Sequence, residues 1–145
     1  MQTSSQADLT VRLRLVIART ARRLRQEGGP ELSPTQASAL ATIDRHGPLT
    51  PSELADRERI RRPTATRLIA GLEEAGLVDR TRDPQDGRSS LVSLSAGGRR
   101  LLARSRTRKN AYLSRRLRTL SPDERATLDR AAAILERLLE EGEAK

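Results

Sequence analysis

The chain has 145 residues, with 28 Lys or Arg against 19 Asp or Glu, a net charge of +9. It holds no Cys, Trp or Phe, one Tyr and one His, which excludes disulfides, thiolate metal sites, thiol-based redox sensing, a His–His metal centre and an aromatic platform for single-stranded bases. Its 22 Leu, 18 Ala, 5 Ile and 4 Val favour a mainly helical fold, no run of about 18 apolar residues offers a membrane span, and Met1 to Leu9 lacks a signal-peptide pattern, so a cytoplasmic location is expected.

Leu9, Leu13, Val16, Ile17, Ala21 and Leu24 share one face of a first helix, which Gly28-Gly29-Pro30 ends. Ser33-Pro34-Thr35-Gln36 is a capping box that opens a second helix. Ala37, Leu40, Ala41 and Ile43 are its expected buried face, and His46-Gly47-Pro48 stops it, with Gly47 expected in the left-handed cap position. Thr50-Pro51-Ser52-Glu53 opens a short third helix in the same way. After a turn at Ile60-Arg61, a fourth helix runs from about Arg62 to Ala75, with Ala65, Leu68, Ile69 and Leu72 at i, i+3, i+4 and i+7 and Gly76 at its end.

The period then changes. Leu77 to Arg82 and Ser90 to Leu94 read as two strands joined by the polar, turn-rich loop from Asp83 to Ser89. Ser95 starts a long fifth helix carrying Leu101, Leu102, Tyr112, Leu113 and Leu117, whose middle, Arg104 to Asn110, holds no large apolar residue and is either solvated or a polar seam between two chains. Ser121-Pro122-Asp123-Glu124 caps a last helix with a stripe of Leu128, Ala131, Ala132, Leu135 and Leu138. Helices joined by a tight turn, then a hairpin, then long helices is the layout of a winged helix-turn-helix with appended helices. The expected parts are an N-terminal dimerisation helix (residues 1–31), a DNA-binding region (residues 32–95) and C-terminal dimerisation helices (residues 96–145).

The charge is uneven along the chain. Residues 50–109 hold 14 basic against 8 acidic residues, whereas residues 119–145 hold 4 against 7. The positive field, which favours a polyanion, falls on the hairpin half. With Ala65, Leu68, Ile69 and Leu72 inward, Arg62, Pro63, Thr66, Arg67 and Ala70 point outward. Arg can pair bidentately with guanine, and Thr or Pro can touch a thymine methyl. Thr64 lies at the flank. Ser33, Gln36, Thr50, Ser52, Arg57, Arg80 and Arg82 are candidate phosphate contacts, the first four doubling as helix caps. Arg88 at the hairpin tip suits a narrow minor groove, and Asp86, two residues earlier, is placed to pair with it.

The run from Leu54-Ala55 through Arg62-Pro63-Thr64-Ala65-Thr66-Arg67-Leu68-Ile69 to Leu72-Glu73-Glu74-Ala75-Gly76-Leu77-Val78 resembles the recognition region of the MarR family of winged helix-turn-helix regulators. Asp83-Pro84-Gln85-Asp86-Gly87-Arg88-Ser89 with Leu91-Val92-Ser93-Leu94 is similar to that family's wing. The resemblance covers about residues 9–140. It implies a homodimer whose terminal helices interlock, reading a pseudo-palindromic double-stranded operator, and a repressor relieved by a small aromatic or lipophilic anion bound among the first, second and fifth helices. It implies wing roles for Asp86 and Arg88 in DNA binding, Arg88 entering the minor groove and Asp86 fixing its direction. His46 and Tyr112 are the polar-aromatic candidates for the ligand pocket; no metal or cofactor is implied. The family often has Ser or Thr where this chain has Arg61, which cannot accept from first-turn amides, leaving a DNA phosphate as a candidate cap. The competing class is a non-specific architectural DNA-binding protein. No phosphate loop, metal cluster or nucleophile–base pair suggests an enzyme.

Overall fold

The structure is a computed structural model describing residues 5–143. Its elements are α1 (Gln6–Glu27), α2 (Pro34–His46), α3 (Pro51–Glu58), α4 (Arg62–Glu74), β1 (Val78–Arg82), β2 (Ser90–Leu94), α5 (Ala96–Leu117) and α6 (Pro122–Glu143). Two compact units divide the chain, one ending at Lys109 and one beginning at Asn110.

Each helix of the first unit except α4 starts where the sequence supplies a side-chain acceptor. Ser33 and Gln36 form the reciprocal box at α2, and Thr50 and Glu53 the same box at α3, each with a following proline. Ser5 caps α1 through the Asp8 amide, and Ser95 caps α5 by accepting from the Gly98 amide. The core joins Ala39, Leu40 and Ile43 of α2 to Leu54, Ile69, Leu72, Val78, Val92, Leu94 and Leu102. Leu40 and Ile43 are buried on α2 as expected, Ala39 is fully buried with them, and Ala37 and Ala41 are half-buried. In α4, Ala65, Ile69 and Leu72 are buried and Leu68 packs at the margin.

The strands pair antiparallel, with Val78 opposite Leu94 and Arg82 opposite Ser90. On its other side, β2 takes a partner that periodicity does not reveal. Leu49, between α2 and α3, exchanges backbone hydrogen bonds with Val92 at 3.0 and 2.7 Å. Gly47 differs from expectation as well. It is not left-handed but extended (φ −39°, ψ 168°), because the following Pro48 disfavours helical ψ in the residue before it. Gly is required there by space: a Cβ would run into the Ile43 carbonyl.

α1 has no buried residue, and Leu9, Val11, Leu15, Val16 and Ile17 are each about half exposed. In the second unit, α6 starts at the Ser121–Glu124 box and leaves Leu128, Ile134, Leu138 and Leu139 open. Arg125 donates to the Leu120 carbonyl at 3.1 Å, closing the turn between α5 and α6.

The joint between the hairpin and α5 is tight. The Ser95 hydroxyl donates to the Gly76 carbonyl at 2.6 Å, the Ser95 amide donates to the Leu77 carbonyl, and a Cβ at Gly98 would strike that same Leu77 carbonyl. Gly98→Ala is expected to cost about 1–3 kcal/mol, because backbone meets backbone and no side chain can give way. Gly71→Ala, in α4 with nothing within 4 Å of a built Cβ, is expected to stabilise by up to about 1 kcal/mol. Urea unfolding of both variants checks the contrast.

Candidate nucleic-acid interface

Three residues separate α3 from α4. Arg59 caps α3 in the left-handed region (φ 55°), its amide donating back to Asp56, and the Ile60 amide donates to Ala55. Arg61 stands at the start of α4 and makes no side-chain cap. The carboxylate of Glu58, the last residue of α3, accepts from the Ser38 hydroxyl at 3.0 Å and from the Thr42 hydroxyl at 3.2 Å. This tie holds the turn against α2; it joins residues 16 and 20 apart, beyond any local pattern.

Burial of Ala65, Ile69 and Leu72 turns Arg62, Pro63, Thr66, Arg67 and Ala70 to solvent, with Thr64 half-buried at the flank. The Thr66 hydroxyl donates to the Arg62 carbonyl at 3.0 Å, so its methyl and lone pairs are what remain for a ligand. Among the described residues, neither Arg62 nor Arg67 pairs with a carboxylate.

The hairpin tip is folded by backbone-to-carboxylate bonds. Asp83 accepts from the Gln85 amide at 2.9 Å, Asp86 accepts from the Arg88 amide at 3.1 Å, and the Asp83 amide donates to the Ser89 carbonyl. Asp86 therefore aims Arg88 through its main chain, not through the ion pair that the spacing suggested. The Arg88 side chain is exposed and has no carboxylate partner among the described residues.

The candidate phosphate contacts are not equivalent. Ser33, Gln36 and Thr50 are engaged in their capping boxes, and Ser52 is half-buried in the first turn of α3. Arg80 pairs with Glu73 of α4 at 3.2 Å, tying the hairpin to that helix. Arg57 lies 3.3 Å from His46 Nε2, which must accept, since the guanidinium has only donors. Arg82 is exposed on β1.

A cavity of about 330 Å³ opens where α1, α2 and α5 meet. Arg22, Arg25 and Lys109 bring positive charge to it, and Leu32, Pro34 and Ala37 an apolar side. His46 does not line it, being at the far end of α2 against Arg57. Tyr112 is half-buried in the second unit. The three cations were not legible as a group because they lie on α1 and α5, more than 80 residues apart, and no local pattern brings them together.

Residues 32–90 match the model of the MarR family. The chain is 42% identical over 138 residues to an uncharacterised HTH-type transcriptional regulator of Mycobacterium leprae, covering 94% of this chain and 96% of that one. Its fold is similar to the crystal structure of a putative transcriptional regulator protein from Pseudomonas aeruginosa, with a TM-score of 0.84 at 37% identity over 95% and 98% of the two chains. It is also similar to a MarR family protein from Bacillus stearothermophilus, with a TM-score of 0.80 at 26% identity over 92% and 94%.

Replacing Asp86 with Ala removes the acceptor that fixes the Arg88 amide. Amide exchange at Arg88 is expected to speed up about five-fold, the equivalent of one hydrogen bond of about 1 kcal/mol, with the melting temperature unchanged. NMR exchange rates test this, and an unchanged Arg88 rate would show that the tip is held by other bonds.

Proposed function

The chain belongs to the MarR family of DNA-binding transcriptional regulators, and we propose that it is a homodimeric repressor that reads a pseudo-palindromic duplex and leaves it when a small anion fills the α1–α2–α5 cavity. The observation that carries the DNA reading is the placement of exposed, unpaired arginines on the outer face of α4 and at the hairpin tip. Arg62 and Arg67 on the outer face of α4, and Arg88 at the wing tip, carry no internal carboxylate partner, while Arg80 next to them is spent on Glu73.

In this reading α4 enters the major groove with Arg62, Pro63, Thr64, Thr66 and Arg67 toward the bases. Arg88, aimed by Asp86, enters the adjacent minor groove. Phosphates are held by Arg57, Arg82 and Ser52, and one of them completes the uncapped first turn of α4. Ser33, Gln36, Thr50 and Arg80 act one step back, holding the elements that make the contacts.

The half-exposed aliphatic rows of α1 and α6 support the dimer, since a soluble monomer seldom leaves that much apolar surface open. Residues 1–31 and 96–145 are then the dimerisation segments and residues 32–95 the reading head; Met1 to Ser4 and the last two residues lie outside the described structure. Two-fold symmetry puts half-sites about 10 bp apart. Arg22, Arg25 and Lys109 would hold the carboxylate or phenolate of an aromatic or lipophilic ligand, the part first assigned to His46 and Tyr112. No helix among the described residues is long and apolar enough to cross a membrane, and the cytoplasm is the proposed location.

The test is binding to duplexes enriched by the protein from a random pool, with bulk genomic DNA as competitor. Arg88→Ala is expected to weaken binding by about 1–3 kcal/mol and to lower the salt slope by about one, and Arg67→Ala to relax the preference at one base position. Competition by bulk DNA on equal terms would instead support a non-specific architectural role. Sedimentation should give a dimer at micromolar concentration, and Leu13→Glu a monomer.

A further inference from the structure

The basic run on α5 is charge that the DNA reading leaves unused. The run divides by helix face. Ser105 is buried and, with Lys109 one turn on, lines the cavity. Arg106 and Arg108 lie on the flanks, and each meets a carboxylate far away in sequence. Arg106 Nη1 is 3.0 Å from Asp44 Oδ2 in the last turn of α2. Arg108 Nη1 is 2.9 Å from both carboxylate oxygens of Glu31, in the connection between α1 and α2, and donates to the Gly28 carbonyl at 3.4 Å.

The Glu31 carboxyl is held below the usual carboxylate range, first by a hydrogen bond from its own backbone and then by Arg108.

The same helix is already anchored at its other end. Ser95 and Gly98 lock its start onto Gly76 and Leu77, at the exit of α4. One stiff helix therefore carries two attachment points about ten residues apart, on the order of 15 Å. One point holds the end of the recognition helix, and the other holds α2, which packs on α3 and is tied to its last residue through Glu58.

We propose that the pairs Arg106–Asp44 and Arg108–Glu31 form a clamp that fixes α2, and with it the helix-turn-helix, at one angle to α5, so that Arg106 and Arg108 are positioning residues for DNA recognition and not phosphate contacts. The proposal rests on the family's DNA binding alone and not on the operator, dimer or ligand readings above.

The distinguishing measurement is the salt slope together with charge exchange. The probe is a duplex enriched by the wild-type protein from a random pool. Arg108→Ala and Glu31→Ala should each weaken binding by about five-fold, the upper end for partly exposed ion pairs. The double variant should be no weaker than either single one, and the salt slope should stay at the wild-type value in all three. The exchange Arg108→Glu with Glu31→Arg should return affinity to within about two-fold of wild type. Arg106 and Asp44 should behave in the same way. Thermal melts establish that each variant is folded. The clamp is overturned if the Arg variants lower the salt slope by about one while Glu31→Ala and Asp44→Ala bind normally, which is the behaviour of a phosphate contact. It is equally overturned if all the variants bind like wild type, or if the charge exchange fails to rescue.

Discussion

Val92 is buried in the middle of β2, faces Arg80 of β1 in the hairpin register, and spends both its amide and its carbonyl on Leu49 ahead of α3. A chain without Phe or Trp must make its core from small aliphatic side chains, and such a core needs a backbone frame to hold it at one spacing. Leu49–Val92 supplies that frame. It joins the segment entering the helix-turn-helix to the strand leaving the wing tip, so α3, α4 and the hairpin share one set of buried contacts. Both the exposed face of α4 and the aim of the wing tip inherit their placement from it.

Around that frame, carboxylates decide which arginines are free. Glu73 takes Arg80, Asp44 takes Arg106 and Glu31 takes Arg108. The net charge of +9 already counts these carboxylates and says little about where the positive surface lies. What distinguishes Arg62, Arg67 and Arg88 is position, on the outer face of α4 and at the hairpin tip, since Arg61 and Arg82 beside them also lack a carboxylate partner among the described residues.

Much of the fold was legible in the chain because its signals are local. The Ser33, Thr50 and Ser121 boxes each lie within four consecutive residues, and the stripe of α4 repeats within two turns. The hairpin was legible too, its turn-rich polar tip lying between two short strand-like stretches anchored by Leu77-Val78 and Leu91-Val92. The candidate interface was legible as far as it depends on the α4 stripe, since burying one face exposes the other. The misses share a cause. Gly47 follows the demand of Pro48 and the closeness of the Ile43 carbonyl over the habit of helix ends. Asp86 reaches the Arg88 amide because a main-chain donor two residues on is nearer than a mobile guanidinium.

By itself, then, the sequence determined the kinds and order of the elements, their caps and the outward face of the recognition helix, because these follow from hydrogen bonds and side-chain periods spanning a few residues. Only the tertiary structure decided that Leu49 joins the wing sheet, that Glu58 ties α3 to α2, that three cations gather at one cavity and that Arg106 and Arg108 of α5 meet Asp44 and Glu31. Those pairings join residues 16 to 77 positions apart. Among 26 interchangeable arginines, which one meets a carboxylate is a matter of distance in space, and distance in space is set by the packed core.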